Sequence, residues 1–231
     1  SRSAPCIGAM SAAPSTQRYF ELDDVNTQSA VSFVLNQARD RPNRPVGVDL
    51  EFDTHNDLRL RLIQISLGSE QPVLIFDCLK IPGVEQRFKE LLEVERPLKL
   101  MHDPRQDARV LALKGIALSG IFDTQIVHFL LRGEYQKSLA HVEQSWLNAS
   151  NPTSSAMRQW NRTVGAWSRP DLPQYVLNYA AQDARMLPAL YEAMQPGLDA
   201  DQRGVVLKRS RCPRPDKRMV AQEFLAHLQA S

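Results

Sequence analysis

Long apolar runs are missing from this 231-residue chain. None approaches the roughly 18 residues that a membrane-crossing helix needs, and Ser1 to Ala13 lack the charged-then-apolar order of a secretory signal. No membrane association is expected. Cysteine is scarce: Cys6, Cys78 and Cys212 are far apart, odd in number, and fit neither a disulfide framework nor a zinc-ligand spacing. That pattern points to a reducing, intracellular location and leaves nucleus, cytoplasm and organelle open. An excess of either charge is also absent, since 28 Lys and Arg face 26 Asp and Glu for a net of +2. The whole chain therefore exerts no general pull toward nucleic acid or anionic lipid. Internal repeats and low-complexity stretches are lacking as well. What is present is 43% hydrophobic and 23% charged residues, the balance of a globular domain with one substantial core. At about 150 residues per domain, the length fits one large domain with short flanks.

Residues 1–15 are small, polar and without periodicity, and read as a disordered lead-in. Apolar spacing predicts a helix from Asp24 to Arg39, ended by the Pro-rich stretch Arg41 to Pro45. Three strands follow, Val46 to Phe52, Leu60 to Leu67 and Val73 to Phe76, which form a meander. Helical spacing over Val84 to Val94, a strand at Leu98 to Met101 and a helix from Pro104 to Lys114, stopped by Gly115, come next. After Asp123 the chain reads as helical throughout, with a long segment from Pro173 to Met194 that Pro188 should bend or break. This segregation implies an α/β fold, a mixed sheet flanked by helices.

Asp49 and Glu51 lie two apart on a predicted strand, so both carboxyls emerge on one face while Val48, Leu50 and Phe52 point into the core. Two acids on one face repel each other, and a hard divalent cation such as Mg²⁺ or Mn²⁺ relieves that repulsion. An Asp-x-Glu triplet alone is weak, being expected about once by chance in a chain of this size. Asp107, in Lys99-Leu100-Met101-His102-Asp103-Pro104-Arg105-Gln106-Asp107, falls in the first turn of a helix at the C-terminal end of the sheet, where ligands of open α/β sheets collect. An acid there also complements the helix dipole. Tyr179 and Asp183 are four apart on the long helix and share a face.

In this order and spacing the residues resemble the DEDD superfamily of 3′-5′ exonucleases, in the tyrosine-bearing branch with ribonuclease D and the Egalitarian-like domains. The resemblance includes Asp49-Leu50-Glu51-Phe52, Leu60 to Ser66, Ile75-Phe76-Asp77, His102 to Asp107, Phe122 to Gln125, Ser138-Leu139-Ala140, Trp167-Ser168-Arg169-Pro170 and Tyr179 to Asp183. The histidine-bearing branch would place His where Asn178 stands, whereas Tyr179 lies four before the last acid. The resemblance implies an RNase H-like fold over residues 16–200, with a basic extension and short helix over 201–231. It further implies two ions, Mg²⁺ or Mn²⁺, held by Asp49, Glu51, Asp107 and Asp183, with Tyr179 acting on the attacking water. Nucleic acid with a free 3′ end, single-stranded RNA in preference to DNA, would be cut to nucleoside 5′-monophosphates. The alternative within the same resemblance is an RNA-associated adaptor in which catalysis is dispensable, but the acid set is complete here.

Phe52, His102, Trp167 and Arg169 are the candidate substrate contacts, Phe52 as a stacking wedge and the others around the second and third motifs. The near-zero charge also divides unevenly: residues 203–231 hold seven basic against two acidic residues, a net of +5, which leaves −3 for the rest. If Lys208 to Arg218 contacts phosphate, deleting 208–218 weakens oligonucleotide binding and flattens its dependence on salt. An identical salt slope in the deleted chain rejects that contact.

Overall fold

The computed structural model describes residues 19–22, 24–54, 58–149 and 154–209. The lead-in at 1–15, His55 and the basic run beyond 209 lie outside the described residues. Six strands form one mixed sheet: β1 (Tyr19–Leu22), β2 (Val46–Asp53), β3 (Arg59–Ser66), β4 (Val73–Asp77), β5 (Lys99–Met101) and β6 (Ile121–Asp123), in the order β1-β4-β3-β2-β5-β6. β2, β3 and β4 are the antiparallel meander that the turn residues Gly68 to Pro72 predict. β5 and β6 add in parallel on the other side of β2, and β1 pairs in parallel with β4. The register sets Asp49 opposite Gln64 and Glu51 opposite Leu62, so these four side chains share one face.

The two faces are covered differently. On one, α1 (Asp24–Asp40), the short α2 (Val84–Arg87) and α3 (Lys89–Leu92), and α4 (Arg105–Leu113) bury Val48, Leu50, Ile63, Ile65 and Phe76. The predicted helix over Val84 to Val94 is thus two single turns meeting at Phe88, whose ring packs edge-on against Phe76 at 4.7 Å. The other face carries α8 (Gln174–Met194), preceded by α5 (Thr124–Arg132), α6 (Leu139–Leu147) and α7 (Ser154–Arg162) and followed by α9 (Ala200–Arg209). Asp123 and Ser138 cap α5 and α6 by accepting from Gln125 N and His141 N, as polar residues at these positions should. The sequence reading begins the basic extension at 201, yet Val206 of α9 is buried among Leu100, Phe122 and Met194, so the first residues of that stretch belong to the body. Among the described residues no helix is long and apolar enough to cross a membrane.

Pro188 neither bends α8 to a stop nor breaks it, because the helix runs on to Met194. Proline removes the N–H that would bond the carbonyl of Ala184. That carbonyl faces β2 at Gly47, where a Cβ would lie 2.8 Å from it and 3.3 Å from Pro188 Cδ. Small residues on both sides, Gly47 against Ala180, Ala181 and Ala184, therefore let helix and strand approach closely. Gly47→Ala is expected to push α8 off β2 and cost about 1–3 kcal/mol, read as a lower denaturant midpoint. A midpoint equal to wild type contradicts this packing.

Candidate active site

Three stretches converge at the C-terminal end of β2. Strand alternation sends Asp49 and Glu51 toward α8, the first turn of α4 brings Asp107 beside Leu50, and α8 presents Asp183 and Tyr179 from above. Asp107 and Asp183 are buried, and Asp49 and Glu51 are half-buried. Burial raises the pKa of Asp49 well above the usual carboxylate range, followed by the charges of Asp183 and Asp107. Glu51 is raised in the same way, first by burial and then by Asp49, Asp183 and Asp107. Asp107 is pushed up to about 7, chiefly by burial, against main-chain hydrogen bonds at Asp107 and Leu50 that favour the charged form. The charges acting most strongly on Asp49 and Glu51 are thus other carboxylates, an arrangement that suits divalent cations. Tyr179 is hydrogen-bonded to Asp183, and its pKa rises through burial first and then through Asp183 and Glu51. Its phenol therefore keeps its proton and donates.

The remaining candidate contacts fare differently. His102 is committed within the protein: Nε2 donates to Lys137 O at 2.9 Å, and Nδ1 lies 2.9 Å from Thr124 Oγ1. Burial lowers its pKa, so it is a neutral ring tying β5 to α5 rather than a phosphate ligand. Trp167 is a core residue as well, packed edge-on against Trp160 at 5.9 Å with its Nε1 donating to Asn161 Oδ1. Its short 3₁₀ turn follows Gly165, whose φ of 70° is open to glycine, and faces the core instead of the cleft. Phe52 is half-buried against the α1–α4 side of the sheet. Arg169 alone of the four is exposed.

Residues with no individual signal in the sequence position this site. Arg61 and Asp77 form a fully buried ion pair at 2.8 Å, and the guanidinium also donates to the carbonyls of Trp167, Arg169 and Pro170. The chain leading into α8 is thereby fixed to β3 and β4. Ser168 Oγ donates to the buried Asp53 Oδ2 at 3.0 Å, which fixes the same stretch to the end of β2. On α6, Glu143 is fully buried, its carboxyl oxygens have no hydrogen-bond partner among the described residues, and burial aided by Asp183 raises its pKa to about 8. Its place in the helical stripe Leu139, Val142, Glu143, Trp146 is the pattern that marks a buried acid. Asp123, pushed up to about 7 by burial, accepts from Asp103 N and Gln125 N.

A second group of possible metal ligands lies apart from these acids. His128, Glu134 and His141 bring their ligand atoms within 4.8 Å of one another. Trp146 Nε1 donates to His128 Nδ1 at 2.9 Å, so the proton of the neutral ring sits on Nε2, the nitrogen aimed at Glu134. The same Glu134 oxygen already faces Lys137 at 3.4 Å and His141 at 2.9 Å. That donor set is an ion-pair network, because a ligating imidazole needs its other nitrogen to donate.

A sequence profile described as 3′-5′ exonuclease matches residues 23–199. The chain belongs to this 3′-5′ exonuclease family. Among curated proteins, the Egalitarian protein homolog of Caenorhabditis elegans is 27% identical over 192 residues, spanning 77% of this chain and 33% of the relative. Ribonuclease D of Xanthomonas oryzae pv. oryzae is 31% identical over 161 residues, spanning 67% of this chain and 40% of the relative. The exonuclease chain thus spans a third to two fifths of the length of these relatives. Trypanosoma brucei RNase D in complex with RNA U12 superposes with a TM-score of 0.69 at 22% identity, over 85% of this chain and 72% of that one. The mixed sheet flanked by helices is accordingly the RNase H-like fold expected from the sequence.

The raised acids give the exonuclease domain a pH signature without metal. Their folded-state pKa values exceed their unfolded ones, so the folded chain binds the additional protons. That stability is complete below about pH 4 and is lost as pH rises through about 7 for Asp107 and Asp123 and about 8 for Glu143. His102, lowered by burial, opposes this only below its ordinary 6.5. In chelator the thermal midpoint should therefore fall from about pH 6.5 to 8, and Mg²⁺ or Mn²⁺ should flatten the fall. A midpoint insensitive to pH in chelator contradicts the assignment.

Proposed function

We propose that this chain is a divalent-metal-dependent 3′-5′ exonuclease that releases nucleoside 5′-monophosphates from single-stranded nucleic acid, RNA in preference to DNA. The observation that carries this reading is the gathering of Asp49, Glu51, Asp107 and Asp183, whose charges raise the pKa values of Asp49 and Glu51, with a protonated Tyr179 bonded to Asp183. Asp49, Glu51 and Asp183 are suited to hold one Mg²⁺ or Mn²⁺, and Asp49 with Asp107 a second. When bound, such ions activate water and offset charge on a departing 3′ oxygen.

The chain's own groups then have defined tasks. Asp49 feels the charges of both Asp183 and Asp107, so it lies between these two acids and would contribute to holding either ion. Leu50's main chain steadies Asp107. Tyr179 holds its hydroxyl proton and donates it to Asp183, which leaves the phenol oxygen at the edge of the acid cluster as an acceptor that would orient an attacking water. The half-buried setting of Asp49 and Glu51 restricts solvent and strengthens these interactions. The RNA preference draws on the ribonuclease D relative and on the structural neighbour crystallised with RNA U12. An adaptor role of the Egalitarian type has a relative in its favour, but a complete acid set with its tyrosine favours chemistry.

Asp49→Asn and Asp183→Asn should each lower metal-dependent hydrolysis of a 5′-labelled RNA by on the order of a thousandfold with the fold retained by circular dichroism. Tyr179→Phe should reduce turnover by about a hundredfold while metal binding by calorimetry changes little. Full activity in either carboxylate variant rejects the assignment, and a Tyr179→Phe enzyme at wild-type rate removes the tyrosine from it.

A further inference from the structure

Along α8, Tyr175, Tyr179 and Asp183 recur every four residues, so the helical face that supplies the acid and the catalytic tyrosine continues one turn outward to Tyr175. Tyr175 is 36% exposed, and its ring meets Trp160 edge-on, with centroids 6.1 Å apart and planes at 89°. Trp160 itself is buried, and the guanidinium of exposed Arg169 lies over its ring at 5.7 Å. One buried indole thus fixes both an exposed aromatic and an exposed cation, at low cost in side-chain freedom. The stretch is anchored beside the active end of β2 through Ser168 and Asp53. The stretch is also net basic: residues 156–175 contain Arg158, Arg162 and Arg169 against the single acid Asp171, with Arg158 and Arg162 exposed on α7.

We propose that Tyr175 and Arg169, seated on Trp160, form a binding subsite for the nucleotides upstream of the reacting 3′ end. This rests on the nuclease reading above and extends it to substrate length. Sequence-tolerant binding of single strands combines an aromatic face for a base with cations for the backbone. Both elements are present here, and an aromatic ring with an arginine beside it suits a stacked base and its phosphate better than an apolar peptide. The local +2 of residues 156–175, in a body that is otherwise acidic, gives the strand a direction of approach to the carboxylates.

The test compares a dinucleotide with a 12-nucleotide single-stranded RNA, using the full chain. Tyr175→Ala and Arg169→Gln should each weaken the 12-mer by about tenfold in fluorescence anisotropy. Arg169→Gln should also reduce the salt slope by about one ion. The rise in KM for the dinucleotide should be several-fold smaller than for the 12-mer, and Tyr175→Phe should retain the 12-mer affinity. Equal penalties on the two substrates, or undiminished 12-mer affinity in both variants, overturn the subsite. If the wild-type chain hydrolyses neither RNA with Mg²⁺ or Mn²⁺ while the two variants still show these binding losses, the nuclease reading alone is overturned.

Discussion

Carboxylates that repel one another do not assemble unaided, and the placement of Asp49, Glu51, Asp107 and Asp183 is the constraint around which this structure is arranged. Burial and mutual repulsion both penalise their charged forms. The opposing free energy comes from packing on either side of β2, with apolar clusters beneath α1–α4 and beneath α8. The contact that matters most is between Gly47 and the Ala184 carbonyl, because it sets how near α8, and hence Asp183, comes to the strand bearing Asp49. A bulkier residue at either position would move the acid away from its partners. In this sense the small residues are as much a part of the site as the carboxylates.

The parts of this arrangement that follow local rules were legible in the sequence. Alternation on β2 places Asp49 and Glu51 on one face, a strand-to-helix junction places Asp107, and helical spacing pairs Tyr179 with Asp183. The strand β6 was not legible, since three residues hold too little pattern to separate from a helix start. Of the two outcomes expected at Pro188, a bend or a break, the break does not occur for a physical reason: a helix packed against a sheet tolerates the lost hydrogen bond when the freed carbonyl is accommodated by a glycine on the strand below. His102 and Trp167 misled because polar or aromatic character near a motif does not say whether the group faces the cleft or the core. Tertiary contact decides that, as it does for Arg61, whose partners lie up to 109 residues away.

Two groups of possible metal ligands in one chain separate by the occupancy of their other atoms. In the His128, Glu134, His141 group each side chain is already engaged by Trp146, Lys137 or its neighbours. Around Asp49 and Glu51, the dominant influences are like charges, and the remedy must come from outside the side chains. The overall charge of +2 conceals this contrast, for it averages an acidic centre with basic surfaces such as that around α7.

The anchor made by Arg61 has a consequence for which side chains of the segment the fold depends on. It grips the segment 167–170 by main-chain carbonyls alone, and those are present whatever side chains the segment carries. Replacing an exposed side chain there, Arg169 foremost, leaves these bonds and the path of the backbone into α8 in place. The fold thus joins a backbone path held from within to outer side chains that take no part in holding it.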